Sequence, residues 1–392
     1  MENPVVPASP VPATDPAELD NRLNTIRREM VVEGIDVLLL TGQKNIEYFT
    51  DYRTLSWAYN ARPLFGLIDE QRFIICANRI EARNLESQVR RFSTVYYQGY
   101  LAEGAQTLLA TLPAYRGPGK LGIAIDWGQD MFGRGCVEIV ADMAARSDVT
   151  LKSGATALWR TRMQKTPFEA ALKRQSFAIV NEAFDRVIAG ARLGVSEADL
   201  CRTLQAHIMD NGADRADQIA MIFGRGDFIY SRLPSQRRLE VGHYLWTDFR
   251  APYGGYPADR NRIARGGDPE SWEMKAYETT RNLTIALARS AKSGMTCGDL
   301  FDVFEDLWRS ADLPPAYGMV SRIGHGGGLE VTEPPSISKN NPQVIKEGMI
   351  LHLEPKLELD GAVFQFEEVI YVGEQGVEFL SEISPAELPV IR

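Results

Sequence analysis

Two adjacent glycines, Gly254 and Gly255, separate two strand-like segments in the second half of the chain. The segment before the glycines spans residues 244–253, and the segment after them spans residues 256–264. Glycine accepts the positive φ angles of the tightest hairpin turns, so a Gly-Gly pair between two such segments is a strong hairpin signal. The pattern predicts a long antiparallel hairpin closed by a two-residue loop.

The loop also determines which residues of the hairpin lie opposite each other. The expected pairs are Tyr253 with Tyr256, Arg250 with Asp259, and Asp248 with Asn261. Because side chains alternate between the two faces of a strand, the last two pairs share one face. Asp248 and Asp259 are then diagonal neighbours, about 7–8 Å apart at the backbone. Their carboxylates can reach two metal ions at the usual spacing of ~3.5–4 Å.

Two later segments carry further acidic residues. Residues 348–355 predict a strand with His352 and Glu354 on the same face, and residues 364–372 predict a second, continuous strand that carries Glu367. Acidic side chains in such strand-like sequence are costly to bury unless a cation compensates their charge. Both segments therefore add candidate metal ligands.

His325 lies in the sequence Gly-His-Gly-Gly-Gly, which begins at Gly324. Without a side chain, glycine lets the backbone approach a ligand or metal closely. Imidazole and carboxylate groups together are common ligands of divalent transition metals. The chain therefore contains one set of candidate metal ligands, which predicts a two-metal enzyme: Asp248, Asp259, His325, Glu354 and Glu367.

These residues lie in motifs that resemble those of the superfamily of prolidase, aminopeptidase P, methionine aminopeptidase and creatinase. The motifs are Trp246-Thr-Asp-Phe, Gly324-His-Gly-Gly-Gly-Leu-Glu, Gly348-Met-Ile-Leu-His-Leu-Glu-Pro and Gln365-Phe-Glu-Glu. The resemblance covers nearly the whole chain, because the N-terminal third also looks like a creatinase-type domain. It implies an α/β N-terminal domain of the creatinase type, followed by an α+β catalytic domain with the pita-bread fold.

The resemblance also implies a role for each candidate ligand. Asp248 would bind one metal, Asp259 and Glu367 would bridge both metals, and His325 and Glu354 would hold the second. This ligand set is complete, unlike that of creatinases. We expect two divalent ions per chain, and a carboxylate-rich site with a single histidine suits Mn, Fe, Co or Zn. Glu354 is also the expected catalytic base, which accepts the proton of the attacking water.

Four positions depart from the peptidases that the chain resembles. Ser231 and Thr332 stand where those enzymes have two histidines that hold the peptide. Gln365 replaces an arginine, and Arg250 replaces a glycine. An amine leaving group needs a general acid, an effect worth ~10²–10⁴-fold. Without the two histidines, cleavage of ordinary Xaa-Pro dipeptides is not expected, and Ser231, Thr332 and Arg250 become candidate substrate contacts.

We expect a dinuclear-metal hydrolase acting on the C–N or amide bond of a small, amino-acid-like substrate that carries a carboxylate. One alternative is a true Xaa-Pro dipeptidase in which His352 is a catalytic proton shuttle; His352 could equally hydrogen-bond a metal ligand. A second alternative is a non-hydrolytic lyase similar to the dimethylsulfoniopropionate lyase of this superfamily. A third is a binding protein derived from the fold, which the complete ligand set disfavours.

The N-terminal domain contains one further candidate segment, residues 56–63, with Trp57, Tyr59 and Arg62. In relatives, a loop in this region reaches the active site of the second subunit of a dimer. The planar guanidinium of Arg62 suits a substrate carboxylate, and Trp57 could contact a cationic group. This interpretation predicts a homodimer in which the three residues contact the substrate. The alternative is an ordinary surface turn.

Length and composition limit the remaining possibilities. A chain of 392 residues suggests two domains, which we place at residues 17–155 and 156–392 after a proline-rich tail at residues 1–16. The net charge of −9 argues against a nucleic-acid partner. No apolar run approaches the ~18 residues of a membrane span. The four cysteines are scattered, which favours the reducing cytoplasm. The catalytic half also predicts two helix pairs, at residues 166–191 and 196–211, and at 268–292 and 296–311.

Overall fold

The computed structural model describes residues 11–59, 61–87, 91–113, 119–127, 137–314 and 321–392. The chain divides into two compact units, of which the first is Pro12–Arg162 and the second is Met163–Arg392 together with Val11. The expected boundary after residue 155 falls at the start of a helix that belongs to the first unit. Residues 1–10 of the expected tail lie outside the described residues. In the described ranges, no helix combines the length and hydropathy needed to cross a membrane.

The first unit alternates helices and strands, as its sequence predicts. Its elements are α1 (Pro16–Glu33), β1 (Val37–Leu40), α2 (Gln43–Thr50), β2 (Phe65–Asp69), β3 (Phe73–Asn78), α3 (Ala82–Glu86), β4 (Ser93–Tyr97), α4 (Leu101–Leu109), β5 (Leu121–Ile125), α5 (Val137–Ala145), β6 (Val149–Ser153) and α6 (Ala155–Arg162). The strands form one sheet in the order β4-β3-β2-β1-β5-β6, with β1 antiparallel to β2 and parallel to β5. Aliphatic side chains from β1, β2 and β5 form its apolar core.

The second unit carries the candidate metal ligands. Its elements are α7 (Pro167–Gly190), α8 (Glu197–Asp210), β7 (Ala220–Gly224), β8 (Tyr244–Tyr253), β9 (Tyr256–Gly266), α9 (Ser271–Ser290), α10 (Cys297–Ser310), β10 (Arg322–Gly326), β11 (Glu333–Ser338), β12 (Ile350–Leu353), β13 (Lys356–Leu359), β14 (Ala362–Gln365), β15 (Glu368–Gly373), β16 (Gly376–Phe379) and β17 (Val390–Ile391). The two predicted helix pairs are confirmed as α7 with α8 and α9 with α10. A side chain caps α7, α8 and α10: Thr166, Ser196 and Thr296 accept a hydrogen bond from the third helical residue.

Three sheets bring the ligand-bearing strands of this unit together. One sheet has the order β17-β9-β8-β7, a second has the order β11-β10-β12-β15-β16, and β13 pairs with β14. Helix α7 packs against β8 and β9, and α9 packs against β14 and β15. These helices cover the sheets and exclude water from the strands that carry the charged residues. This arrangement is the α+β catalytic domain that the motifs imply.

The hairpin register confirms the prediction made from the Gly-Gly pair. Strand β8 pairs with β9 so that Tyr253 lies opposite Tyr256, Arg250 opposite Asp259, and Asp248 opposite Asn261. Gly254 and Gly255 have φ angles of 59° and 78°, values that side-chain-bearing residues rarely adopt. The turn sequence was therefore sufficient to predict which side chains share a face.

The expected single strand over residues 364–372 is wrong. The chain forms β14 up to Gln365 and β15 from Glu368, and these two strands belong to different sheets. Phe366 and Glu367 lie in the break between them. An alternation pattern cannot reveal such a break, because the residues on both sides of it continue to look like strand.

Candidate metal centre

Asp248 and Asp259 come from the two arms of the hairpin. Asp259 is buried, and its Oδ1 atom has no hydrogen-bond partner among the described residues; the same holds for Oδ1 of Asp248. Leaving a buried carboxylate oxygen without a donor costs free energy. A cation between the two carboxylates would remove that cost, so these atoms fit metal ligands.

His325 lies on β10, directly opposite His352 of β12. Its Nδ1 atom lies 2.8 Å from the carbonyl oxygen of Gly326, which can only accept, so Nδ1 carries the proton. The lone pair of Nε2 therefore faces two carboxylates, at 3.7 Å from Asp259 Oδ2 and 3.5 Å from Glu354 Oε1. Three atoms that can carry lone pairs therefore converge, which is an arrangement that a metal ion stabilises.

Glu354 and Glu367 lie just outside regular strands. Glu354 directly follows the last residue of β12, and Glu367 lies in the break between β14 and β15. His352 Nδ1 lies 2.6 Å from Glu367 Oε1. The ligand atoms of one subset all lie within 4.8 Å of one another: Asp259, His325, His352 and Glu367. This cluster contains three of the five expected ligands together with His352, and Glu354 lies 3.5 Å from His325.

Burial dominates the electrostatics of the acidic ligands. Burial, followed by the charges of Glu367 and Asp248, raises the pKa of Asp259 well above its usual range. Burial and the neighbouring Glu354 and Asp248 do the same to the pKa of Glu367. Burial also raises the pKa of Glu354 to about 7, and it lowers the pKa of His325 to about 3. Carboxylates packed this closely repel one another unless a cation or a proton intervenes.

The donor set fits divalent transition metals. It offers carboxylate oxygens and a neutral imidazole, a combination suited to Mn, Fe, Co or Zn rather than to a thiolate-bound metal. The unpartnered oxygens of Asp248 and Asp259 and the converging lone pair of His325 are independent signs of the same fit. The site is therefore a candidate metal centre on its own geometry.

Buried cations around the ligand set were not predicted from the sequence. The ammonium group of Lys173 is fully buried and donates to the carbonyl of Pro257 at 2.5 Å. Arg260 is also fully buried and donates to the backbone carbonyl of Glu367 at 2.8 Å. A sequence signal existed for Lys173, since it shares the buried face of α7 with Phe177, four residues later. These cations offset part of the negative charge of the ligands.

A second buried ion pair lies beside the glycine-rich segment. Lys165 Nζ lies 2.9 Å from Glu333 Oε2, and both side chains are 1% exposed. Glu333 also accepts a hydrogen bond from the backbone of Glu330 at 3.1 Å. Thr332, the preceding residue, is exposed. The structure therefore places a buried salt bridge, rather than a second histidine, next to this loop.

The glycines around His325 allow close packing within the protein. A Cβ atom on Gly324 would lie 2.1 Å from the backbone oxygen of His352, and one on Gly327 would lie 2.4 Å from Nε2 of the same residue. On Gly326 it would meet the backbone oxygen of Pro334 at 2.3 Å. These neighbours are protein atoms, so the glycines allow strands and side chains to pack around the site.

A hydrogen-bonded chain connects the candidate ligand Glu354 to an aromatic group. Gln365 Nε2 lies 3.4 Å from Glu354 Oε2, and Trp246 Nε1 donates to Gln365 Oε1 at 2.9 Å. The ring of Tyr230 meets that of Trp246 edge-on at 4.7 Å, and Lys356 Nζ lies 3.4 Å from the centroid of the Tyr230 ring. Of these residues, Gln365 was expected from the sequence only as a replacement for an arginine, and no sequence pattern linked it to Tyr230 or Lys356.

The expected substrate residues are distributed unevenly. Arg250 lies opposite Asp259 in the hairpin, and Ser231 is exposed in the turn after Tyr230. Trp57, Tyr59 and Arg62 belong to the first unit. There, Trp57 lies in a 3₁₀ helix, Leu55–Ala58, and Tyr59 is exposed. The guanidinium of Arg62 lies 5.8 Å from the ring centroid of Tyr100.

Comparison with known proteins agrees with this geometry. Residues 171–374 match the model of metallopeptidase family M24, and residues 22–133 match that of the creatinase/prolidase N-terminal domain. The chain is 25% identical to the uncharacterized peptidase YqhT of Bacillus subtilis, over 94% of this chain and all of that protein. It is 28% identical to an Xaa-Pro dipeptidase of Lactobacillus delbrueckii subsp. lactis, over 86% of this chain and 90% of that one.

Solved structures share the whole architecture. The prolidase of Thermococcus sibiricus aligns with a TM-score of 0.82 at 20% sequence identity, covering 97% of this chain and 100% of that one. Identity this low shows a common fold alone. The α/β first unit and the α+β second unit therefore occur together in that protein as they do here.

Proposed function

The chain belongs to metallopeptidase family M24 and is a metal-dependent hydrolase; we propose that it cleaves the C–N or amide bond of a compact, amino-acid-like substrate that carries a carboxylate. The convergence of His325 Nε2 with the carboxylates of Asp259 and Glu354, at 3.7 and 3.5 Å, carries this proposal. A buried cluster of acceptors without donors is costly to keep for structural reasons alone. A binding role for the fold would not require it.

Two divalent ions per chain, drawn from Mn, Fe, Co or Zn, would be held by the five candidate ligands: Asp248, Asp259, His325, Glu354 and Glu367. When bound, such ions supply positive charge that activates a water and stabilises negative charge developing on the substrate. Among the four carboxylates, Asp259 and Glu367 are the most buried, and they are the candidates to bridge both ions. Lys173 and Arg260 hold the surrounding backbone at Pro257 and Glu367.

Glu354 is the proposed acceptor of the proton that the water loses. Its side chain is 26% exposed, compared with 3% for His325 and 8% for Asp259. A proton accepted at Oε2 can therefore pass to solvent, which the deeper ligands cannot reach. Gln365 Nε2, 3.4 Å from that oxygen, holds the carboxylate in place.

The substrate class follows from the residues that replace the peptidase pattern. Gln365 is a neutral amide whose oxygen already accepts a hydrogen bond from Trp246, so it offers no positive charge to a substrate. Ser231 and Thr332 cannot protonate an amine leaving group as a histidine can. A substrate whose leaving group needs less assistance than a proline nitrogen fits these residues better than an Xaa-Pro dipeptide.

If Gln365 does not bind the substrate carboxylate, another residue must do so. Arg250 lies on the hairpin face that carries the ligands, and its Nε atom is buried with no partner among the described residues. Arg62, with Trp57 and Tyr59, is the candidate from the N-terminal unit. We propose that this segment acts across a homodimer, where it would complete the site of the second chain.

The lyase alternative requires an acid or a tyrosine directed at the ligands. Tyr230 is the tyrosine connected to them through Trp246 and Gln365, but its hydroxyl donates to Glu358 Oε1 at 2.7 Å. The observed hydrogen bond therefore favours hydrolysis over proton abstraction by Tyr230.

A substrate panel tests the proposal directly. Protein loaded with Mn²⁺ or Zn²⁺ is incubated with N-acetyl and N-carbamoyl amino acids and, separately, with Ala-Pro and Gly-Pro, and the released amine is measured. We expect turnover of at least one compact amide and dipeptide cleavage weaker by ~10²-fold or more, because Ser231 and Thr332 replace the two histidines that hold a peptide in the related peptidases. Dipeptide turnover at ordinary enzymatic rates, ~1–10³ per second, would contradict the substrate class.

The role of Glu354 has its own control. Glu354→Gln should abolish turnover of any substrate found. Glu374→Gln changes an exposed glutamate in the turn before β16 and should leave turnover unchanged. Equal loss in both variants would show that the effect of Glu354→Gln is not specific to the site.

A further inference from the structure

His352 packs between aromatic rings beside the candidate metal centre. It is fully buried on β12, opposite His325 on β10. The two imidazole rings are stacked, with centroids 4.8 Å apart and planes inclined by 13°. The ring of Phe177 lies on another side, with a centroid distance of 6.1 Å. The imidazole therefore has a single defined position.

One nitrogen of His352 is engaged and the other is not. Nδ1 lies 2.6 Å from Glu367 Oε1, which is a short, charge-assisted hydrogen-bond distance. Nε2 is buried and has no partner among the described residues. Glu367 lies in the break between β14 and β15, where no strand pairing holds its backbone. His352 thus holds the side chain of Glu367, whose backbone is not held by strand pairing.

The backbone around His352 is shaped to admit the imidazole. A Cβ atom on Gly327 would lie 2.4 Å from Nε2 and 2.9 Å from Cδ2 of His352. Real side chains do not approach so closely, so a residue other than glycine at this position would displace the ring. The third glycine of the glycine-rich segment and His352 therefore form one structural unit.

From these contacts we propose that His352 is a positioning residue of the metal centre, which orients Glu367 through Nδ1 and holds the His325 ring by stacking. The proposal rests on the metal site of the proposed function but does not depend on its substrate. Groups that hydrogen-bond a metal ligand typically change metal affinity by ~10–100-fold. His352 would connect two ligands from separate segments of the chain, so its loss should weaken metal binding without changing which residues coordinate.

Metal affinity of the whole protein is the direct test. Apo protein is titrated with Zn²⁺ in competition with a fluorescent chelator, and folding of each variant is checked by circular dichroism in the presence of a chelator. His352→Leu should weaken Zn²⁺ binding by about 10–100-fold. His352→Asn should recover much of that loss, because its amide nitrogen is as many bonds from the backbone as Nδ1. His243→Asn, at a partly exposed histidine near Glu240, is the matched control and should bind normally.

Gly327→Ala provides a test that leaves His352 unchanged. The added methyl group should displace the imidazole and weaken Zn²⁺ binding as His352→Leu does. In the His352→Asn background, the shorter side chain leaves room for the methyl group, so the same glycine substitution should cost little. Strongly non-additive losses of this kind are expected only of residues in contact. Additive losses, or normal binding by Gly327→Ala, would overturn the proposal.

X-ray absorption at the zinc edge separates a positioning role from direct coordination. One imidazole per chain, unchanged in His352→Asn, is expected. Two imidazoles in the unchanged protein, with one lost in the variant, would show that His352 is itself a ligand and would overturn the proposal. Neither result depends on peptide or amide turnover, so a failure of the proposed substrate class would be seen separately.

Discussion

Two buried aspartates, one in each unit, show different ways of placing a charge inside a protein. Asp126 of the first unit is fully buried and accepts hydrogen bonds from Thr41 N, Thr41 Oγ1, Gly42 N and Asn45 Nδ2, all between 2.6 and 2.8 Å. Asp259 of the second unit is also buried, but its Oδ1 has no donor among the described residues, and its neighbours include three other carboxylates.

The difference separates structural burial from functional burial. Burial raises the pKa of both side chains, but hydrogen bonds from Thr41 and Asn45 lower that of Asp126, whereas Glu367 and Asp248 raise that of Asp259 further. Asp126 is therefore stabilised by protein donors alone. Asp259 requires a proton or a cation from outside the protein. A buried carboxylate indicates a metal only when donors are missing around it.

The largest effect is expected from replacing each of the two buried aspartates, Asp259 and Asp126. Asp259→Ala should abolish binding of both metals, because a bridging carboxylate serves each ion, and this is checked by elemental analysis after dialysis against Mn²⁺ or Zn²⁺. The Asp126→Ala protein should keep its full metal content, but its free energy of unfolding should fall by roughly 3 kcal/mol, because several buried donors lose their acceptor. Normal metal content in Asp259→Ala would remove the basis of the site.

The second prediction compares ion pairs of the two units. Lys165→Met should lower the unfolding free energy by about 3–5 kcal/mol, because Glu333 remains buried without its cation. Arg146 pairs with Asp148 at 2.8 Å on the surface of the first unit, and Arg146→Ala should leave stability unchanged within error, because water screens that pair. Urea unfolding of both variants measures the difference, and equal midpoints would refute it.

The third prediction concerns the two arginines that are candidates to bind a substrate carboxylate, Arg62 of the first unit and Arg250 of the second. Losing a charge-assisted bond to a carboxylate costs ~1.5–3 kcal/mol, so Arg62→Ala should raise KM by roughly ten- to a hundred-fold without changing metal content. Steady-state kinetics on a substrate from the panel provide the measurement. Unaltered kinetics would make the segment around Arg62 a surface turn and leave Arg250 as the candidate.

Mixed dimers sharpen the same point. If Arg62 completes the site of the second chain, a mixture of Arg62→Ala and Asp259→Ala chains should regain part of the activity, because one site of the heterodimer has both an intact metal centre and an intact arginine. An active monomer, measured by sedimentation, would exclude this arrangement.

The smallest expected effect is a pH dependence of the chelated protein. Burial raises the pKa of Glu354 to about 7, and raises that of Asp259 and Glu367 well above the usual range. A carboxyl group with a raised pKa in the folded state stabilises the fold at low pH and loses that contribution as pH rises through the folded value. His325, whose pKa burial lowers to about 3 from the ordinary value of 6.5, is neutral in the folded state, and its unfolded form is more than half neutral above pH 6.5.

The useful window therefore lies between pH 6.5 and 8, since burial lowers the pKa of Lys173 to about 8 and adds an opposite trend above that value. Within this window the melting temperature of the chelated protein should fall as pH rises. Metal-loaded protein should show a flatter profile, because bound cations replace the protons. A melting temperature that does not change with pH in the chelated protein would show that neither protons nor metal ions are needed to offset the repulsion between these carboxylates.

Local sequence rules were sufficient for the hairpin and the helix pairs. The Gly-Gly turn determined the register that sets Arg250 opposite Asp259, and the predicted helix ranges begin at Thr166 and Ser196, which cap α7 and α8 in the structure. These features depend on residues only a few positions apart. The candidate ligands could be selected for the same reason, since acidic side chains on predicted strand faces need a cation nearby.

Only the tertiary structure decided how the site is supported. The break before Glu368 moves Glu367 out of a strand, and His352, fifteen positions away, holds it. Lys173 donates to Pro257 across 84 positions. Gly327 is required because the imidazole of His352 lies where its side chain would be. No periodicity records such contacts, because they depend on how separate strands and helices pack rather than on the order of neighbouring residues.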